Sequence, residues 1–144
     1  MDSKGQLSAE YLLLILVILI IMGAVTIPLI SNTIGSTMQV SGASDMKNAV
    51  SNIANAVNLV YANGPGSKRT IDVYTPGTII ADNNLKIIRG DTSYTNSVTN
   101  QPFYINASTN YNVNLNNPNP SKGWHKVTVE WTLPNTGPIT ITIT

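Results

Sequence analysis

The sequence contains no cysteine and few charged residues, and both shortages narrow the classes of protein that it can encode. Without cysteine, the chain can form neither a disulfide framework nor a cysteine-ligated zinc site. Charged residues make up 10% of its 144 residues, and the formal net charge is +1. A nucleic-acid-binding domain needs a basic surface, and a disordered chain is rich in charge and poor in apolar residues. The composition therefore predicts a folded protein that does not bind nucleic acid.

Residues that commonly carry catalysis are also scarce. His125 is the only histidine, and the spacing of the Ser and Asp residues around it suggests no Ser-His-Asp arrangement. The sequence has no P-loop, no GxGxxG motif and no EF-hand spacing. We therefore expect that the protein is not an enzyme and that it uses no cofactor and no metal.

Charge is missing altogether from a long segment near the amino terminus. No Asp, Glu, Lys or Arg occurs from Tyr11 to Ser44, and residues 12–30 (the apolar segment) would span about 28 Å as a helix. That length is close to the hydrocarbon thickness of a bilayer, so we predict a membrane-spanning helix rather than a buried helix of a soluble protein. Lys4 favours a cytoplasmic amino terminus. An ordinary secretory signal is the less favoured alternative, because no Ala-x-Ala site follows the segment.

The helical pattern continues beyond the apolar segment and becomes one-sided. Five apolar residues follow one another at steps of three or four, which places them on one helix face: Met46, Val50, Ile53, Val57 and Val60. Polar residues occupy most of the opposite face, and Gly64 and Pro65 end the pattern. We therefore predict one helix from about Leu7 to about Ala62.

Two residues inside this helix favour bending. Pro28 removes a backbone donor and clashes with the preceding turn, and Gly23 weakens the helix one and a half turns earlier. We predict a kink in this region. Two helices separated by a break at residues 31–36 are the alternative.

Beyond Gly66 the sequence changes to the two-residue period of β-strands. Apolar and polar residues alternate around Ile71 and Val73, and again along residues 127–133 and 139–143, which we predict to form a hairpin. Pro76-Gly77 and Gly90-Asp91 are typical of turns, and the Asn-rich stretch 92–123 is interpreted as exposed polar surface. The predicted fold is α+β: a long amino-terminal helix followed by an antiparallel β-sheet or small β-barrel. One face of the sheet should cover the apolar face of the helix, because so small a domain has little core by itself.

Glu10 lies at the edge of the apolar segment, where a carboxylate is costly. A charge deep in a bilayer costs about 2.5–3.5 kcal/mol on insertion scales, and Lys4 is the only cation nearby. Cleavage between Gly5 and Gln6 would create another, because a free α-amino group is mostly protonated at neutral pH. In a straight helix that amine would lie about 6 Å along the axis from Glu10. It would serve equally well as partner for the Glu10 of an adjacent copy.

Gly5 followed by Gln6-x-Ser8-x-Glu10-Tyr11 and a long apolar run resembles the class III signal peptide of archaeal type IV-like pilins. The resemblance implies cleavage between Gly5 and Gln6 by a membrane prepilin peptidase. It divides the chain into a leader (1–5), a long helix that is first membrane anchor and then filament core (6–63), and an antiparallel β headgroup (64–144). In this family an acid such as Glu10 guides docking through the amino-terminal amine of a neighbouring subunit.

The resemblance also implies partners and location. An assembly ATPase and a membrane platform protein would extract the subunit from the cell membrane into an extracellular adhesion pilus made of identical copies. Members of the family are often N-glycosylated, and Asn106-Ala107-Ser108 is a sequon here. Two other functions are open: a minor pilin of the same system, and a monomeric surface-binding protein held by an uncleaved amino-terminal span.

Overall fold

The computed structural model of the chain describes residues 3–83, 85–95, 102–134 and 137–144. Helix α1 (Ser3–Asn63) is followed by seven strands, β1 (Lys68–Thr75), β2 (Ile79–Asp82), β3 (Ile87–Thr95), β4 (Pro102–Ser108), β5 (Val113–Asn116), β6 (Gly123–Glu130) and β7 (Ile139–Ile143). The predicted α+β architecture is confirmed. The chain divides into two compact units, one ending at Met38 and one comprising Gln39–Thr144.

The part of α1 in the first unit (residues 3–38, the amino-terminal part of α1) exposes its apolar side chains on every face. Its large apolar residues from Leu12 to Ile34 are 44–69% exposed. Mean hydropathy over its most apolar window is 3.1, with none of that window buried, so by length and composition it could cross a membrane. The backbone stays helical through residues 31–36, which favours one helix over two. A kink at Gly23 and Pro28 stays a prediction.

The part of α1 in the second unit (residues 39–63, the carboxy-terminal part of α1) buries one face. The predicted face is confirmed, because all five of its members are at most 1% exposed: Met46, Val50, Ile53, Val57 and Val60. They form one core with apolar residues of the strands, among them Ile88, Val127 and Ile141. Gly64, with a positive φ of 85°, ends the helix, and its N–H donates to the carbonyls of Val60 and Tyr61 at 3.2 Å each.

The strands form two sheets that pack against this helix face. One sheet has the order β1-β6-β7-β5 and the other β2-β3-β4. The predicted hairpin is β6–β7, in which Val127 pairs with Ile143 and Val129 with Ile141. The pairs are antiparallel apart from β5 with β7, which run parallel. The described strands do not close into a barrel, so the barrel alternative is wrong and the sheet is mixed rather than purely antiparallel.

Two expectations about the middle of the chain are corrected by the structure. Gly90 and Asp91 lie inside β3 rather than in a turn. Gly90 is required there because an added Cβ would collide with Met46 and lie 2.8 Å from Cγ2 of Val50. The stretch interpreted as exposed polar surface contains β4 and β5.

Asparagine side chains hold several loops of this unit in place. Asn58 on α1 accepts a hydrogen bond from the backbone N–H of Asn110 at 2.7 Å. Asn83 accepts one from the N–H of Val113 at 3.2 Å, which links the two sheets. Asn117 donates to the carbonyl of Ile143 at 3.1 Å. These asparagine side chains bond to backbone groups that have no backbone partner of their own. The prediction that the Asn-rich sequence is only exposed polar surface missed this role.

Candidate processing and assembly segment

The predicted processing motif lies in the first turns of α1. The backbone of Gly5, Gln6 and Ser8 is helical, as is that of Glu10 and Tyr11. Gln6 and Glu10 are four residues apart and therefore occupy the same helix face. Cleavage before Gln6 would put the new amine and the Glu10 carboxylate on one side of the helix.

Glu10 is exposed and has no ionic partner within the described side chains of its own chain. Tyr11 beside it is 71% exposed. The next charged residue along the sequence is Asp45. A carboxylate at the edge of so long an uncharged segment therefore depends on Lys4, its own amino terminus, solvent, headgroups or another molecule for a partner.

Three hydroxyl residues that follow the apolar segment are compatible with an apolar environment. Ser31, Thr33 and Thr37 each donate a side-chain hydroxyl hydrogen bond to the carbonyl four residues earlier, at 2.9–3.1 Å. These bonds satisfy the hydroxyl groups within the helix itself. The amino-terminal part of α1 can therefore face lipid or other helices without stranding these polar groups.

The sequon lies on the outer face of a β-sheet. Asn106 is an exposed residue of β4, paired with Arg89 of β3. The Arg89 side chain donates a 3.3 Å hydrogen bond to the Asn106 side-chain oxygen, and its guanidinium lies 5.3 Å from the centre of the Tyr104 ring. Nδ2 of Asn106, the atom that would carry a glycan, makes no hydrogen bond with the described residues.

The lone histidine has a structural contact. His125 is half-buried on β6, and its Nε2 lies 2.6 Å from the carbonyl oxygen of Ser121. Over the ranges that the structure describes, no three His, Asp or Glu side chains come together as metal ligands.

A groove lies between the carboxy-terminal part of α1 and strand β1, an edge of its sheet. It consists of two adjoining depressions of about 540 and 420 Å³ that share Asn52 and Asp72. We call this surface the β1 groove; its other lining residues are Asp45, Asn48, Ala49, Asn55, Ala56, Leu59, Arg69, Ile71, Val73, Tyr74 and Trp124. Sequence reasoning missed it, because its residues come from three elements far apart in the chain. The one local signal was the spacing of asparagines along α1.

The comparison with known families concerns the amino terminus. Residues 3–29 match the family model described as Class III signal peptide. The chain carries a class III signal peptide. This signal peptide indicates a type IV pilin-like protein and implies processing by a prepilin peptidase and pilus assembly machinery. It also fits a membrane-anchored precursor and a surface pilus.

The matched residues contain the motif from Gly5 to Tyr11 and most of the apolar segment, so the signal peptide and the membrane-length helix are one feature. No curated protein and no solved structure matches the chain.

Proposed function

We propose that this protein is a structural subunit of an archaeal type IV-like adhesion pilus. The observation that carries the proposal is the class III signal peptide, which runs directly into a helix whose apolar side chains are exposed on every face. A helix of this kind is compatible with lipid before assembly and with other identical helices afterwards. The β-sheets would form the outer surface of the filament and make the adhesive contacts.

The energy for assembly follows from the apolar surface. Removing apolar area from water contributes about 25 cal/mol per Å², so a helix that has left the bilayer is strongly favoured to pack against other helices. Contacts between unlike patches of identical subunits propagate, and when the rotation does not close they produce helical filaments. The partners are therefore identical copies, together with the prepilin peptidase, an assembly ATPase and a membrane platform protein.

Glu10 takes the docking role in this proposal. After cleavage between Gly5 and Gln6, the Gln6 amine of one subunit pairs with the Glu10 carboxylate of its neighbour. Pairing removes the cost of a solitary carboxylate in an apolar surrounding. The β domain carries Asn106 as the proposed glycosylation site.

Cleavage is tested by Gly5→Val, with Gly23→Val as the matched substitution inside the apolar segment. We expect Gly5→Val to leave an uncleaved, membrane-bound precursor and no filaments, whereas Gly23→Val is cleaved normally. The measurement is the amino-terminal residue of the protein, with electron microscopy of sheared filaments. Normal filaments from Gly5→Val would contradict the proposal.

The docking role is tested by Glu10→Gln against Glu10→Asp. Both variants should be cleaved, but only Glu10→Asp keeps the charge and should assemble measurably. Equal yields of filament from wild type and Glu10→Gln would show that the ion pair is dispensable.

The two other functions give different results in the same preparation. A minor pilin would be a small fraction of the subunits in sheared filaments, whereas a major pilin would dominate them. A monomeric anchored binding protein would keep Met1 or Asp2 as its first residue and would stay in the membrane fraction. The β1 groove is the observation that favours a binding role.

A further inference from the structure

Four asparagines lie on the carboxy-terminal part of α1 between residues 48 and 58, and the fold gives a structural role to only one of them. Asparagine disfavours the interior of a helix, because its side chain competes for backbone hydrogen bonds. Asn58 is explained by its 2.7 Å bond from the Asn110 backbone. The side chains of Asn48, Asn52 and Asn55 are exposed and make no hydrogen bond with any residue that the structure describes. Locally unfavourable residues without a structural partner are where function is expected.

These three amides form one row along the β1 groove. Their spacing of four and three residues places them on one helix face, and all three line the groove. Each amide offers two donor hydrogens and an acceptor oxygen. Residues 45–59, which line the helix side, extend about 21 Å, which fits a short chain of sugars better than a single small molecule.

The opposite wall adds charged groups and an aromatic pair of which Trp124 is exposed and Tyr74 half-buried. Arg69 and Asp72 lie on β1, and Asp72 forms a 3.6 Å ion pair with Lys126. Trp124 lines one end of the groove and is 74% exposed, in an edge-on contact of 5.8 Å with Tyr74. A bare indole with a polar surround offers a flat apolar face for stacking beside hydrogen-bonding groups.

The lining excludes two other classes of ligand. Acidic and basic groups are nearly balanced, so no positive field is present to hold a phosphate or sulfate ester. Among the apolar lining residues, Ala49, Ala56 and Val73 are buried, so the groove exposes little apolar surface for a lipid chain. Sugars match the groups that line the groove, since the C–H faces of sugar rings stack on indole and their hydroxyls bond to amides and carboxylates.

We propose that the β1 groove binds a neutral oligosaccharide, with Trp124 as the stacking platform and Asn48, Asn52 and Asn55 as hydrogen-bonding partners. The proposal deepens the adhesive part of the proposed function, since it names the chemical class that the pilus surface recognises. It requires that only the amino-terminal part of α1 lies in the filament core, so that residues 45–59 stay at the surface. An open groove binds each chain weakly because little of the ligand is buried. Repetition of the groove along a filament multiplies weak binding into firm attachment.

The test uses the full chain in detergent micelles and four neutral pentasaccharides: maltopentaose, cellopentaose, mannopentaose and chitopentaose. Binding is measured by titration calorimetry and by protection of tryptophan fluorescence from acrylamide, because the other tryptophan, Trp131, is buried. We expect at least one pentasaccharide to bind the wild type. Trp124→Ala should weaken that binding about tenfold and Asn52→Ala about fivefold. Trp124→Phe, which keeps a ring, should restore most of the affinity.

Matched controls come from the same unit. Phe103→Ala removes another exposed aromatic ring, on β4, and Asn114→Ala removes another exposed amide, on β5. Neither residue lines the β1 groove, so both variants should bind within twofold of the wild type. An equal loss in these controls would overturn the assignment.

Two further outcomes would also overturn it. One is that none of the four pentasaccharides binds the wild type. The other is that Trp124→Ala leaves sugar binding unchanged but abolishes filaments, which would make the groove a contact between copies. Because binding is measured without filaments, a wild type that fails to bind sugar leaves the proposed assembly untouched, and a wild type that binds sugar but forms no filaments leaves the groove proposal untouched.

Discussion

The two parts of helix α1 contain apolar residues of the same types but use them differently. Ile20 in the amino-terminal part is 61% exposed, whereas Ile53 in the carboxy-terminal part is fully buried. The second part has polar residues on its remaining faces, because only one side meets the sheets. The first part is apolar all round, and its large side chains are exposed on every face.

The contrast shows that the distribution of apolar residues around a helix indicates where its partner lies. A one-sided pattern indicates a partner within the fold, and an all-round pattern indicates lipid or other helices. Burial of a side chain in the single chain therefore indicates its contribution to folding stability in the carboxy-terminal part of α1. In the amino-terminal part it does not, because the side chains there are exposed. Substitutions that are identical in the two parts separate these roles.

The largest expected effect comes from the pair Ile53→Ala and Ile20→Ala. Ile53→Ala removes buried methyl and methylene groups and leaves a cavity, so it should lower the free energy of unfolding by about 2–5 kcal/mol. Ile20→Ala should change it by less than about 0.5 kcal/mol, since Ile20 makes no core contact. The measurement is denaturant unfolding of the full chain in micelles, followed by tryptophan fluorescence, in which the buried Trp131 should dominate the change because Trp124 is already exposed.

Filament yield, measured for the same two variants, should show the role of Ile20 that unfolding does not show. Ile20→Ala should keep the fold yet reduce filament formation, because it removes apolar surface from the proposed helix bundle. Equal destabilisation of the monomer by both variants would remove the distinction between the two parts of α1.

The next effect comes from adding a methyl group. Gly90→Ala should lower the free energy of unfolding by about 1–3 kcal/mol, because the new Cβ meets Met46 and Val50 on the carboxy-terminal part of α1. Gly35→Ala adds the same methyl to the amino-terminal part, where nothing lies within 4 Å, and should be neutral or slightly stabilising. Thermal unfolding of the two variants side by side checks this, and a neutral Gly90→Ala would show that the helix can move away from β3.

The sequence alone was enough to predict those helices and strands whose pattern lies within one short stretch of the chain. The period of three and four identified the buried face of α1, and alternation around a turn identified the β6–β7 hairpin. The prediction of a turn at Gly90 was wrong because glycine occurs both in turns and where two elements pack closely. Only the fold shows that α1 passes over β3 at this residue. Strands β4 and β5 were missed because they lie within an Asn-rich stretch of the sequence. In β5 two of four residues are Asn, whereas β4 contains a single Asn beside Phe103, Tyr104 and Ile105, whose strand preference the polar neighbours obscured.

The candidate sites divide in the same way. The processing motif from Gly5 to Tyr11 is contiguous, so the sequence alone located it, and the family comparison covers the same residues. The β1 groove combines α1 residues with Asp72 and Trp124, which pairing of β1 with β6 brings together. No spacing in the sequence predicts a surface of that kind.

A smaller effect is expected from removing single hydrogen bonds, and it should differ between a bond to a distant residue and a bond within the helix. Asn58→Ala loses the bond from the Asn110 backbone and should lower the free energy of unfolding by about 1 kcal/mol. Thr33→Ala in the amino-terminal part loses only a bond to the carbonyl of Leu29 and should stay within about 0.5 kcal/mol. Chemical denaturation measures both, and hydrogen exchange at the Asn110 amide should quicken in Asn58→Ala alone. Unchanged exchange there would show that the bond is absent in solution.

The smallest effect concerns charges on the outer face of the β1–β6 pair. Lys68 and Glu130 form a 3.1 Å ion pair in which the Lys68 side chain is 57% and the Glu130 side chain 40% exposed. Lys68→Ala should therefore lower the free energy of unfolding by only about 0.5 kcal/mol or less, and added salt should reduce even this difference, because water and ions screen exposed pairs. Denaturant unfolding at low and high salt measures it. A loss well above 1 kcal/mol would mean that charge stabilises this fold, whereas a small loss supports the view that its stability depends on the apolar core.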